Sequence, residues 1–401
     1  MDRVVVVGSG VLGASVAYHL ARSGADIVAL EAERPASGAT GATLSLDVTH
    51  LQTPYAYYRL NRAGSDGHVR LVEEIGGPSW RHPAPLIQWA DGEAAQQALR
   101  ERALQVRSWG HACGLAPAAA LRKVVPEVDP ASCTAEEVVV HTGAAWFDAP
   151  RFVHALLEAA ARHGAELHYR TPVTGLLREG ARVTGVVAGE RRFTAGAVVN
   201  CTGSTAEALA ALAGVRLPMR AVPGLLVESG RLPDAPLGAI LAAPGINLRP
   251  TPEGGVLALS RDIDARLDAR LDARLDARIG GPLDGLSQEL LRRAGDVVPE
   301  LRRTGPAAAR IGVCPVPLDE LPLVGAVPEA PGLYHLVAHS GVTLAPVLGR
   351  LAAEEITTGR PSPELAAYRP DRSMSGDVYE DNMRALGRHV PHGSARPDVR
   401  L

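Results

Sequence analysis

Residues 1–31 read MDRVVVVGSGVLGASVAYHLARSGADIVALE, and this stretch decides the fold. Val4 to Val7 are four consecutive β-branched residues, the pattern of a strand buried on both faces. Gly8-Ser9-Gly10-Val11-Leu12-Gly13 follows, with Leu12, Val16 and Leu20 at helical spacing and Gly24 as a helix stop. Residues 27–30 read as a second buried strand that ends at Glu31. Each glycine has a mechanical task. Gly8 makes the tight turn, Gly10 lets the backbone approach a pyrophosphate at the positive end of the helix, and Gly13 lets helix and strand pack closely. Glu31 can accept hydrogen bonds from a ribose, and an acid there opposes a 2′-phosphate. The stretch predicts binding of FAD or NAD rather than NADP.

The chain has 401 residues, enough for two domains, with 46% hydrophobic and 21% charged residues, as in ordinary globular proteins. A net charge of −3 favours neither nucleic acid nor an anionic membrane as partner. No signal peptide is expected, because the buried strand starts within a few residues of Met1, and no apolar run is long enough to span a bilayer. Cys113, Cys133, Cys201 and Cys314 form no CxxC, so neither a metal site nor a disulfide framework is expected, and a reducing cytoplasm fits. Lys123 is the single lysine among 41 basic residues.

After Glu31, the small residues from Ser37 to Thr43 can let backbone amides and hydroxyls crowd a ligand. A helix is expected over 55–75, with Tyr58, Leu60, Val69 and Leu71 in the core, then a strand at 86–89 and helices at 93–109 and 115–125. Strands are expected at 138–141, 166–169, 173–177, 183–187, 192–194 and 197–200, with helices at 150–163 and 205–213. Residues 218–260 read as short strands between prolines, the pattern of an antiparallel sheet. Asp264-Ala265-Arg266-Leu267 repeats through Arg278 and reads as a solvent-exposed tandem insertion without a catalytic role. A helix at 284–295 follows. A strand at 333–337 then leads through His339, Ser340 and Gly341 into a helix ending near Thr358, with a polar tail at 373–401.

Four separated stretches together resemble the FAD-dependent oxidoreductases of the D-amino-acid oxidase, glycine oxidase and sarcosine oxidase superfamily. They are the fingerprint through Glu31, the loop Ser37 to Thr43, Asn200-Cys201-Thr202-Gly203, and Arg310 to Pro346. The most specific piece runs from Cys314 to Gly325 and is followed by His339 to Pro346. The resemblance implies an α/β protein: a doubly wound, Rossmann-like FAD-binding domain interrupted by an α+β substrate domain with a mostly antiparallel sheet. Residues 1–80, 145–215 and 310–372 would form the first, and 81–144 and 216–309 the second, with the repeat inserted at 264–278. By the same resemblance, Gly8, Gly10 and Gly13 hold the pyrophosphate and Glu31 the ribose. Ala39 and Thr40 lie along the pyrophosphate–ribityl part, Val173 meets adenine, and Thr202 and Gly203 flank the cofactor. Gly341, Val342, Thr343 and Leu344 face the flavin N1–C2=O edge, where a helix N-terminus stabilises negative charge.

The function this implies is oxidation of a C–N bond, with hydride passing from the carbon beside the amine to flavin N5 and leaving an imine. A small-molecule amine and an electron acceptor, O₂ or another, are the expected partners; the oligomeric state is open. The alternatives are a flavin monooxygenase and a flavin-binding subunit of a multi-component dehydrogenase. Candidate catalytic residues are His339, just before the flavin turn, His50, just after the flavin loop, Arg249 on a substrate strand, and Cys314. In the amino-acid oxidases the Cys314 position carries an arginine that pairs with the substrate carboxylate. A cysteine cannot form that pair, so the sequence favours a secondary amine or modified amino acid unless Arg249 or Arg310 supplies the charge. Some sarcosine-oxidase-like members instead attach the flavin through a cysteine in this region. Some also use a lysine above the flavin to promote reaction with O₂; this chain has none in the matching segment, 256–260.

Overall fold

The computed structural model describes residues 3–267 and 284–372. The repeat beyond Leu267 and the tail from residue 373 lie outside the described residues. Val4–Val7 is a fully buried strand with a parallel neighbour on each side, Ile27–Leu30 and Ala197–Asn200. The all-valine run is explained by this position, because a central parallel strand has no solvent face. The sheet has six strands, in the order Leu323–Ala326, Leu333–Val337, Ala197–Asn200, Val4–Val7, Ile27–Leu30 and Glu166–His168. Only Leu323–Ala326 is antiparallel to its neighbour. The chain leaves Val4–Val7 toward one edge and returns on the other, so the strand order reverses at its carboxyl end. In doubly wound sheets that reversal is where a ligand crevice opens.

A second sheet of eight strands runs Pro306–Pro317, Met219–Ser229, Val256–Leu259, Ile246–Pro250, Ile240–Ala243, Leu86–Gln88, Glu137–His141 and Cys113–Pro117. All its pairings are antiparallel except that of Ile240–Ala243 with Leu86–Gln88. One face packs on the helix Asp284–Val297 through Leu225, Val227, Ala258 and Leu290. The other faces the nucleotide unit: a Cβ on Gly312 would lie 2.5 Å from Ala42 O. The strand Pro306–Pro317 pairs along its length with Met219–Ser229, so residues 310–317, grouped by sequence with the nucleotide unit, run in this larger sheet. Pro223 is accommodated in so long a strand because Val256–Leu259 pairs only with Val227 and Glu228, leaving one neighbour at the level of Pro223.

Several local expectations need correction. Residues 113–117 are an edge strand and not the start of a helix, since pairing of Cys113 with His141 through Pro117 with Glu137 overrides local propensity; only Leu121–Val124 is helical. Val69 is 42% exposed. It lies nine residues from Leu60, two and a half turns, and so on the opposite face of the helix Tyr55–Ile75. The strand expected from Val173 starts at Gly175. The first repeat unit is not a free insertion: Asp264 ends a helical turn, Arg261–Asp264, its carboxylate accepts from Leu225 N at 2.7 Å, and Leu267 is buried in the core.

Candidate active site

Strand, turn and helix converge at Gly8. Its φ is +98°, and a Cβ there would lie 2.6 Å from Cys201 O, so glycine serves both the turn and the close approach of the strand end Asn200-Cys201-Thr202. Asn200 fixes that end: its Oδ1 accepts from Thr202 Oγ1 at 2.8 Å and its Nδ2 donates to Ala206 O at 2.8 Å. A Cβ on Gly13 would collide with Gly8 O at 1.9 Å, while one on Gly10 would meet only Thr40 Oγ1, at 3.3 Å. Gly13 is therefore glycine for packing, and Gly10 for an open edge. The Glu31 carboxylate accepts from Ser9 N at 2.7 Å and Glu33 N at 2.9 Å, and Thr40 Oγ1 accepts from Val11 N at 3.1 Å. The loop Ala39–Gly41 thus leans on the first turn of the helix Val11–Arg22. Val173 is half-buried against the core of Val5, Val28 and Leu30.

The second helix N-terminus, that of Gly341–Thr358, is brought beside the first. A Cβ on Gly341 would lie 3.5 Å from Val11 Cγ1. Two interior glycines of Tyr55–Ile75 permit this. A Cβ on Gly64 would sit 2.2 Å from Thr343 O, and one on Gly67 2.6 Å from Pro346 Cβ. Each costs helix propensity of about 1 kcal/mol, which the close approach offsets. Buried His68 then locks the turn: its Nε2–H donates to Val342 O at 2.8 Å and its Nδ1 accepts from Trp80 Nε1 at 3.2 Å. Burial holds its pKa down at about 4, so the ring stays neutral with one donor and one acceptor. Ser15 Oγ donates to Ala345 O, Thr343 Oγ1 to Leu46 O, and Gln52 Nε2 to Ser340 Oγ. Two helix N-termini, a glycine edge open at Gly10, a strand-end carboxylate and a buried Ser9 Oγ without a partner among the described residues fit a dinucleotide cofactor.

A cavity of about 210 Å³ opens between the loop Thr40–Ser45 and the nucleotide-facing side of the large sheet. Arg249 forms one wall. It is 7% exposed; Nε donates to Leu44 O at 2.6 Å and Nη1 to Pro250 O at 2.8 Å, and the guanidinium lies 4.6 Å from the Trp146 ring centre. Burial lowers its pKa to about 10, against the opposing pull of Asp148, Glu228 and Glu253, so it is cationic at neutral pH. Arg310 lines the same cavity and donates to Gly41 O at 3.4 Å. Sequence reasoning had singled out Arg249 but not Trp146 and Glu228, which reach the cavity from other strands, nor Asp148, which caps the helix Ala149–Arg162.

The other candidates are not gathered there. Cys314 shares the sheet face of Arg310 and Gly312 by strand alternation, but it lies toward Asp264 and Arg261, outside the cavity lining. Burial pushes its thiol pKa up. Asp264, hidden in sequence by the repeat, is held up at about 6 by burial. His339 is exposed at the turn before the last helix. His50 is buried 4.3 Å, ring to ring, from His141, with His111 beside both; their ligand nitrogens lie within 4.8 Å of one another. Nothing in the spacing of residues 50, 111 and 141 announces this cluster.

A sequence model of the family described as FAD dependent oxidoreductase matches residues 3–355. Glycine oxidase of Pseudomonas aeruginosa is 27% identical over 379 residues, covering 92% of this chain and 98% of that protein. Among solved structures, the glycine oxidase of Geobacillus kaustophilus superposes with a TM-score of 0.81 at 24% identity, covering 94% of this chain and all of the other. The L-proline dehydrogenase of P. horikoshii gives a TM-score of 0.81 at 20% identity over 92% of this chain and 96% of its own. Among the described residues, no helix is long and apolar enough to cross a membrane.

Proposed function

Because the chain belongs to the FAD dependent oxidoreductase family, with FAD as its cofactor, we propose that it oxidises the C–N bond of a small amine that also carries a carboxylate. The reading rests chiefly on Arg249, a cation kept in the cavity wall among Asp148, Glu228 and Glu253. Such a wall offers a guanidinium to a carboxylate and acidic groups to an ammonium, which suits a zwitterion better than a neutral aromatic. The named oxidase relatives support the same reaction class. When bound, FAD would supply the acceptor for the hydride on the carbon next to the amine nitrogen, with an imine as the product to hydrolyse or cyclise.

In this reading Gly8, Gly10, Gly13, Glu31, Ala39, Thr40, Thr202 and Gly203 hold the dinucleotide, with Val173 toward adenine. The first-turn amides of Gly341 to Leu344 present a positive helix end suited to an anionic reduced ring. Arg249 orients the carboxylate, and Trp146 keeps its guanidinium from swinging away. Cys314 lies outside the cavity lining, and with Arg249 supplying the charge the cysteine does not decide between a free amino acid and a secondary or modified amine. Oxidation would take place in the cytoplasm, with O₂ or another acceptor reoxidising the flavin. Arg249→Met tests the reading. It should raise KM at least 10-fold for N-methylated amino acids while leaving flavin content and the KM of a decarboxylated analogue unchanged. An equal rise for both substrates would remove Arg249 from carboxylate binding.

A further inference from the structure

We propose that His50, His111 and His141 form a binding site for one divalent transition cation of the zinc class, three imidazoles with a fourth position left to solvent. The three residues come from separate places: the short turn Thr49–Leu51 after the nucleotide loop, the turn between Glu93–Ser108 and Cys113–Pro117, and the end of the strand Glu137–His141. Sequence reading expected no metal site, because it searched the cysteines.

Geometry carries the assignment. His111 Nε2 and His141 Nδ1 are 3.1 Å apart, close to the roughly 3.3 Å edge of a tetrahedron with metal–nitrogen bonds of 2.0–2.1 Å. The nitrogens of all three residues lie within 4.8 Å of one another, which brings His50 within reach of the same point. His141 is oriented as a ligand. Its Nε2 faces Gln88 Oε1 at 3.3 Å, and the tautomer that donates there leaves Nδ1, the atom facing His111, as the free ligand nitrogen. The cluster satisfies itself only in part: His111 Nε2 and His141 Nδ1 share a hydrogen bond that an ion would displace, and His111 Nδ1 is buried with no partner among the described residues.

Charge is compatible as well. Arg102, which donates to His50 O and Gln52 O, opposes a cation, and the carboxylate of Asp47 favours one. Asp47 is held by Thr49 Oγ1 at 2.6 Å and Ser65 Oγ at 2.5 Å. Three imidazoles select zinc, nickel or copper over magnesium or calcium. An ion here would tie the nucleotide loop to the edge of the large sheet, two residues before Gln52 meets the N-terminal turn of the last helix.

The test uses FAD-loaded full-length protein, dialysed free of metal and titrated with Zn²⁺ against a chromophoric chelator, with bound zinc counted by mass spectrometry. One equivalent should bind with Kd of about 1 μM or tighter, and excess Mg²⁺ should not compete. His111→Gln, at a half-exposed position, and His141→Gln should each weaken binding at least 100-fold, and Gln88→Leu about 10- to 100-fold. Flavin content and circular dichroism report folding. If His141→Gln misfolds, His111→Gln decides alone. No uptake by the parent protein at about 100 μM Zn²⁺, or full affinity in His111→Gln, overturns the proposal.

Discussion

Substituting Gly10 and Gly13 by alanine separates cofactor binding from packing within a single turn. At Gly13 the new Cβ would begin 1.9 Å from Gly8 O, where real contacts stay beyond 3.0 Å. Helix and strand must part by roughly 1 Å, an overpacking cost of about 3 kcal/mol. Alanine returns about 1 kcal/mol of helix propensity, so Gly13→Ala should lose about 2 kcal/mol of stability even without flavin. Gly10 has φ −73° and ψ −176°, extended backbone open to any residue, and its Cβ would meet only Thr40 Oγ1 at 3.3 Å. Gly10→Ala should therefore cost under about 1 kcal/mol in the flavin-free protein. It should weaken FAD at least 100-fold, about 2.7 kcal/mol, because the methyl occupies the open edge assigned to the diphosphate. Urea unfolding followed by circular dichroism gives the first quantity and flavin fluorescence titration the second. Parent-like FAD affinity in Gly10→Ala, or equal stability of the two variants, would refute the division of labour.

Asp264 carries a pH prediction. Its folded pKa of about 6 exceeds the ordinary value of 3.8, so the folded state holds this proton more tightly than the unfolded chain. Its contribution is thus most favourable below about pH 4, falls as pH rises to about 6, and then stays lower by about 1–3 kcal/mol. Asp264→Asn keeps an Oδ1 acceptor for Leu225 N and should be more stable than the parent by that amount at pH 7.5, with the gain vanishing toward pH 4. An unchanged urea midpoint at pH 7.5 would contradict it. Oxygen chemistry gives another prediction. The one lysine, Lys123, lies exposed in the short helix Leu121–Val124, so reduced flavin should react slowly with O₂ unless an arginine or histidine substitutes. Stopped-flow reoxidation as fast as in a lysine-bearing oxidase, and unaffected by replacing Arg249 and Arg310, would remove that argument.

The nucleotide core was legible because its signals are local. Val4–Val7 and Ile27–Leu30 begin and end where the valine run and the acid place them, and Gly359 stops the last helix with φ +68°. The pairing of Met219–Ser229 with Pro306–Pro317 was not, because it joins residues about ninety apart and hides its prolines at a half-open edge. Arg249 could be picked out as a strand arginine, but its stacking on Trp146 depends on a strand a hundred residues earlier. The same holds for His50, His111 and His141, and for Asp264, whose buried carboxylate was masked by a repeat that looks solvent-exposed.

Anaerobic titration of the purified yellow protein tests the central claim most directly. N-methylated and cyclic amino acids, simple amines and NAD(P)H are added in turn while the flavin spectrum is followed. A carboxylate-bearing amine should bleach the flavin absorbance with one equivalent of imine-derived product per FAD, and NAD(P)H should not. Reduction by NAD(P)H with no response to any amine would contradict the account.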